Sequence, residues 1–178
     1  EVRWEKKPEL FWQLSVATSQ RDGFRLHDKR HYDEVIANDF AEQLTVYSEG
    51  VPVASAVCTF VGTTYTYLFG ASSYEARALM APYLIQWSAL LRGKECGARW
   101  YDFYGLSPIS PPVAEVCLKP LEEYTYDTEA KEAGYTRFKL GFGGSVLVTP
   151  GTWEVVLRPF FYTMFNVLKI VRNYFSKQ

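Results

Sequence analysis

At 178 residues, with 48% apolar and 17% aromatic content, the chain is long enough to bury one substantial core. Its 19 Lys/Arg against 20 Asp/Glu give a net charge of −1, which excludes a globally basic nucleic-acid binder. There is no apolar run of ~18 residues and no secretory signal pattern, and Cys58, Cys96 and Cys117 lack CxxC spacing. The setting expected is therefore a reducing cytoplasm, and the start at EVRWEKK without Met predicts an excised, truncated or processed piece.

In chain order, Pro8 to about Gln20 spaces Leu10, Phe11, Leu14 and Ala17 or Thr18 as a helix, stopped near Asp22-Gly23. A second helix is predicted over about Asp28 to Asn38, with Asp28 as N-cap. His27 and His31 stand at i, i+4 without the glutamate of HExxH and read as solvated helix residues. Residues 42–48, 51–61 and 64–70 read as three strands, turned at Ser48-Glu49-Gly50 and Gly62-Thr63. The middle strand is apolar or small on both faces and is expected to be central.

A long helix is expected over about Glu75 to Cys96, burying Met80, Leu84, Trp87 and Leu91 and ending at Gly97. RWYDFYG then reads as a strand over 99–104, with Trp100, Asp102 and Tyr104 on one face. An acid among four aromatics is not expected to be fully buried unless paired. It is either a substrate-facing polar group at a cleft mouth, beside Tyr104, or an Asp that bonds a backbone N–H or an arginine.

Leu106 to about Tyr126, with four prolines, is expected to be a long irregular loop. In KEAGYTRFKLGFGGS, Tyr135, Phe138, Lys139 and Phe142 share one helical face, and Gly143-Gly144 ends the helix. An ammonium in an aromatic stripe either snorkels to water or faces an anion. Val146 to Val148 and Trp153 to Leu157 suggest a hairpin, and Pro159 opens a last helix with a stripe of Met164, Leu168, Val171 and Phe175 and basic Lys169, Arg172 and Lys177. That helix packs on the core, on a partner, or on a membrane surface.

The order α-α-β-β-β-α-β-α-β-β-α predicts an α+β class, a mixed sheet with helices on both faces. It matches the GCN5-related N-acetyltransferase-like fold with an extra C-terminal helix, as a single domain over 1–178 whose first strand is missing or supplied by residues 2–4. Acyl donors bind such folds where two parallel strands splay, here those ending at Gly70 and spanning 99–104. The connection GASSYEARALMAP has no glycine after Gly70 to present a backbone-amide nest to a pyrophosphate, so acyl-CoA is not expected as cofactor.

TSQRDGF (18–24), YLFGAS (67–72), WYDFYGLSP (100–108) and FKLGFGG (138–144), in this order, resemble the second acyltransferase-like domain of the Fem peptidyltransferases over roughly residues 8–158. The resemblance implies an aminoacyltransferase that takes an amino acid from aminoacyl-tRNA to an amine of a UDP-linked or lipid-linked muropeptide precursor, needing no other cofactor. It further implies that Lys139 stabilises charge as the amine attacks the ester, that Phe138 shapes the pocket, that Arg21 clamps the precursor diphosphate, and that Tyr67 contacts the precursor. Full-length members carry a further domain, expected upstream here. Two rivals stand beside this reading: an acyl-CoA-dependent N-acyltransferase, and a non-catalytic interaction domain using residues 159–178. A patch of Arg21, Arg25, Lys29 and Arg30 serves tRNA or is a solvated helix face. The place expected is cytoplasmic, with the inner face of the membrane as an extension.

Overall fold

A computed structural model describes residues 1–110, 115–150 and 155–175. The chain forms two compact units, residues 1–106 and residues 107–178.

The first unit is built on a five-stranded sheet in the order β1 (Val2–Trp4), β2 (Ala41–Ser48), β3 (Val51–Val61), β4 (Thr64–Ser72) and β5 (Trp100–Asp102). All neighbours are antiparallel except β4 and β5. Residues 2–4 do supply the first strand, and Glu49 and Gly50, at φ 51° and 79°, make the tight turn that joins β2 to β3. β3 is central, and its run from Val53 to Cys58 is buried throughout, as its two-faced apolar pattern requires.

Helices cover both faces. On one side α1 (Pro8–Asp22) and α2 (Lys29–Ala37) bring Phe11, Tyr32 and Ile36 onto Val57 and Ala71. Gly23 (φ 65°) closes α1 by donating its N–H to the Ser19 carbonyl at 2.8 Å, where the sequence places the stop. Asp28 occupies the N-cap of α2 without a side-chain capping bond, and His27 lies just before the helix, its ring 4.6 Å from that of His31, both side chains exposed.

On the other face α3 (Ala81–Glu95) packs on Leu44, Ala56, Cys58 and Tyr65. Here the sequence reading is corrected. The helix starts at Ala81, after a 3-10 turn at Arg77–Leu79 and Met80 at φ 52°. It buries Ala81, Ile85, Gln86, Ala89 and Gly93, while the expected stripe is exposed, Met80 at 54% and Trp87 at 58%. Small residues win because the sheet already supplies bulk. A Cβ on Gly93 would meet Tyr65 Cβ at 3.0 Å, so a wide helix face cannot approach there.

In the second unit, the expected loop is partly ordered. β6 (Cys117–Pro120) pairs antiparallel with β7 (Ser145–Val148), a 3-10 turn follows at Leu121–Glu123, and Ile109 bridges to Tyr126. Thus the ladder seen for 146–148 is with β6. The partner expected over 153–157 begins at Trp153, outside the described residues, and 155–157 are irregular. α4 (Ala133–Leu140) is shorter than the sequence suggests, ending before Gly143 and Gly144, which take φ 82° and 100°. The last helix, α5 (Pro159–Phe175), begins at its proline as expected.

Candidate active site

The first unit holds a fork. β4 and β5 run in parallel register only from Thr64↔Trp100 to Thr66↔Asp102. β4 continues to Ser72, whereas β5 stops, because Asp102 Oδ1 accepts the Tyr104 N–H at 2.7 Å and Tyr104 turns to φ 62°. Asp102 and Tyr104 are both exposed, so the strand expected over 99–104 is cut short by its own acid, bonded to a backbone N–H. Beyond Thr66 the register of β4 against β3 jumps from Cys58↔Tyr67 to Val57↔Phe69, leaving Leu68 as the bulge residue beside the opening.

Tyrosines line the root of the fork. Tyr101 donates from its hydroxyl to Oε1 of buried Gln86 at 2.7 Å, and the Tyr65 ring stacks 6.2 Å from that of Tyr101. Burial pushes the Tyr65, Tyr67 and Tyr101 phenols far above their usual range, so all three stay protonated, and the buried Cys58 thiol is pushed up to about 12. Tyr67 folds back along its own strand over Gly70: a Cβ at Gly70 would meet the Tyr67 hydroxyl at 1.7 Å. The glycine of YLFGAS is there to seat that ring. Below, Glu42 accepts from Tyr65 at 2.7 Å and pairs with Arg92, which pins the buried ring to α3.

Arg21 lies at the far end of β4. Its guanidinium pairs bidentately with Asp22, at 2.6 and 2.7 Å, and donates to the Ser72 carbonyl at 3.2 Å. Asp22, foremost, holds its pKa above the ordinary value. Thr18 accepts the Ser72 N–H at 3.0 Å, so TSQRDGF staples the end of α1 to the end of β4. Arg77, which the sequence reading missed, lies 4.2 Å over the Tyr74 ring, with Arg21 6.0 Å from the same ring. The sequence signal for Arg77 is a lone arginine in the connection GASSYEARALMAP.

The proposed tRNA patch is largely self-neutralised. Lys29 pairs with Asp33 and Glu9, Arg30 with Glu34, and Arg21 with Asp22, while Arg25 lines a shallow open cavity with Leu26, His27 and Asp28. No group of three His, Cys, Asp or Glu suited to a metal occurs among the described residues.

In the second unit, α4 is anchored by Thr136, fully buried, whose Oγ1 accepts the Ser107 N–H at 2.9 Å, and Tyr124 donates its hydroxyl to the Ser107 carbonyl. The opposite face carries the stripe. Lys139 Nζ stands 5.2 Å from the Tyr135 ring centroid, and Phe138 meets Phe142 edge-on at 5.3 Å. Lys139 is half-buried, with its ammonium over the Tyr135 ring. The candidate residues thus fall into two groups: Arg21, Tyr67, Asp102 and Tyr104 in the first unit, Phe138 and Lys139 in the second.

A forked mixed sheet flanked by helices defines the acyltransferase class of fold, and solved structures agree. FemX superposes with a TM-score of 0.64 at 19% identity over 83% of this chain and 50% of its own. The aminoglycoside N-acetyltransferase AAC(6')-Iy gives 0.53 at 9% identity, over 87% and 98%. A sequence model of the FemAB family matches residues 37–170, and the chain belongs to that family. The Lipid II:glycine glycyltransferase of Staphylococcus aureus is 28% identical over 101 residues, which are 53% of this chain and 24% of that protein. The chain therefore spans about a quarter of the length of that relative. No helix among the described residues is long and apolar enough to cross a membrane.

Proposed function

We propose that the chain is part of an aminoacyltransferase that moves an amino acid from aminoacyl-tRNA to a side-chain amine of a muropeptide precursor at the cytoplasmic face of the membrane. The FemAB match over residues 37–170, three quarters of the chain, carries this reading. The amine nitrogen attacks the ester carbonyl, a C–N bond forms, the ester C–O bond breaks, and the tRNA terminal hydroxyl leaves with the proton the amine loses. Lys139 offers its ammonium to the oxyanion between these events, Phe138 shapes the pocket, and Arg21, Tyr67, Asp102 and Tyr104 hold the precursor, UDP-linked or lipid-linked. In this reading residues 8–158 make one acyltransferase-like domain, and a second precedes it in the complete enzyme.

The test is transfer of radiolabelled amino acid to the precursor by the complete enzyme carrying Lys139→Ala. Loss of an oxyanion partner is expected to cost about 10²–10³ in kcat. Unchanged turnover by a folded variant refutes the assignment. The rival, acyl-CoA use on the same fork, is addressed by thermal shift. Ligand at a hundredfold excess over Kd adds about 2.7 kcal/mol, and acetyl-CoA is expected to add nothing. The reason is that the connection offers Ser73, Tyr74 and Glu75, with Met80 in the left-handed conformation before α3, where glycines would open a phosphate nest.

A further inference from the structure

We infer that α5 is an interfacial helix that docks the protein on an anionic lipid surface. The inference goes beyond the transfer reaction and does not depend on it.

The first observation is an apolar helix turned outward. Phe160, Phe165 and Ile170 are 76%, 61% and 69% exposed, and Phe161, Met164 and Leu168 are exposed with them. At 100° per residue, Val167, Phe160, Val171, Met164, Leu168 and Phe161 fill one continuous arc, while Tyr162, Asn166, Lys169 and Asn173 form a polar line at i, i+4, i+7 and i+11. From 159 to 172 the least exposed position is Asn166, on the polar line. A helix docked in a water-soluble fold shows the reverse.

The second observation is charge. Residues 155–178 hold Arg158, Lys169, Arg172 and Lys177 and no Asp or Glu; all 20 acids of the chain lie before them. The body is net acidic and the tail uniformly basic, so the tail alone complements a phospholipid surface. Two tails packed face to face would instead set like charges against each other, with no acid in the segment to relieve them.

The third is length. Seventeen residues rise about 25 Å, short of a bilayer core, with Lys169 and Arg172 inside them. Such a helix lies in the headgroup plane, its aromatic and aliphatic arc in the acyl boundary, Lys169 on the wet side and Arg172 snorkelling from the arc's edge.

The experiment is co-sedimentation of the full chain with vesicles of phosphatidylcholine alone or mixed with phosphatidylglycerol, without precursor or tRNA, together with sizing in solution. The expected result is binding to the anionic vesicles that weakens with salt and is poor on phosphatidylcholine. Phe161→Ser with Leu168→Ser, at exposed positions, should lose at least tenfold in binding with unchanged circular dichroism. Lys169→Glu and Arg172→Glu should each lose about fivefold or more on anionic vesicles. Absence of sedimentation, sedimentation indifferent to these substitutions, or a dimer that the serine pair converts to monomer would each overturn the inference, the last by showing a second copy on this face. Because the vesicles hold no precursor, failure here leaves the transfer assay untouched, and failure of the transfer assay leaves this one standing.

Discussion

Replacing Gly70 by alanine probes the fork most directly. The new Cβ would lie 1.7 Å from the Tyr67 hydroxyl and 2.6 Å from its Cζ, where ordinary contact begins at 3.4 Å. A shift of a few tenths of an ångström cannot relieve this, so the ring must leave its seat. Tyr67 is half-buried, and giving up that burial costs about 1.5 kcal/mol, half the value for a fully buried large side chain. Forcing the ring to stay would cost about 1–3 kcal/mol in overpacking. Alanine in a strand recovers about 0.5–1 kcal/mol over glycine. The net expectation is about 1 kcal/mol of destabilisation, or about 2–4 °C in Tm. The same substitution on a Tyr67→Ala background meets empty space and should be neutral or slightly stabilising, a coupling of about 1–2 kcal/mol. Urea unfolding of the four proteins of this cycle measures it. Costs that simply add would show that Tyr67 does not rest on Gly70.

Arg21→Ala is expected to weaken binding of a nucleotide-linked muropeptide to the complete enzyme, whereas Asp22→Asn, which frees the guanidinium from its bidentate partner, should strengthen it. Calorimetry giving equal affinities for all three proteins would remove Arg21 from the phosphate site. For Glu42, burial pushes the carboxyl up, but the Arg92 and Tyr65 hydrogen bonds outweigh it and hold the pKa below its ordinary 4.5. Its stabilisation is therefore present above pH 4.5 and lost as pH falls through the lower folded value, so the wild type should lose more stability than Glu42→Gln on acidification below that pH. Parallel urea curves at both pH values for the two proteins would contradict this.

What could be read from the sequence was what local chemistry dictates. Strands β2 to β4 and their turns follow from alternation and from residues that tolerate positive φ, and α1 stops where Gly23 allows it. The buried face of α3 could not be read this way. Counting bulky side chains selects Met80, Leu84, Trp87 and Leu91, but the face that packs is Ala81, Ile85, Gln86, Ala89 and Gly93, set by the close approach of Tyr65 on the sheet to Gly93. The segment 106–126 looks structureless because its prolines hide a four-residue strand whose partner, β7, lies 25 residues further on. In the site, Lys139 stood out as a cation in an aromatic stripe. The Asp22 carboxylate on Arg21 and the Tyr74 ring between two arginines are visible only once β4 and α1 are placed side by side.

The pieces of the fork argue for one another. Asp102, exposed at the end of β5, takes the Tyr104 N–H, and that local bond ends the strand. Ending β5 three residues into its ladder leaves the longer β4 with one edge unpaired on that side among the described residues, a liability in a soluble sheet unless something binds there. The bulge at Leu68 and the Tyr67 ring folded over Gly70 both fall within that unpaired stretch, and Thr18 and Arg21 fix its far end through Ser72. The bulge and the seated ring, with the two contacts that fix Ser72, shape this edge for an extended ligand, as the proposed transfer reaction requires.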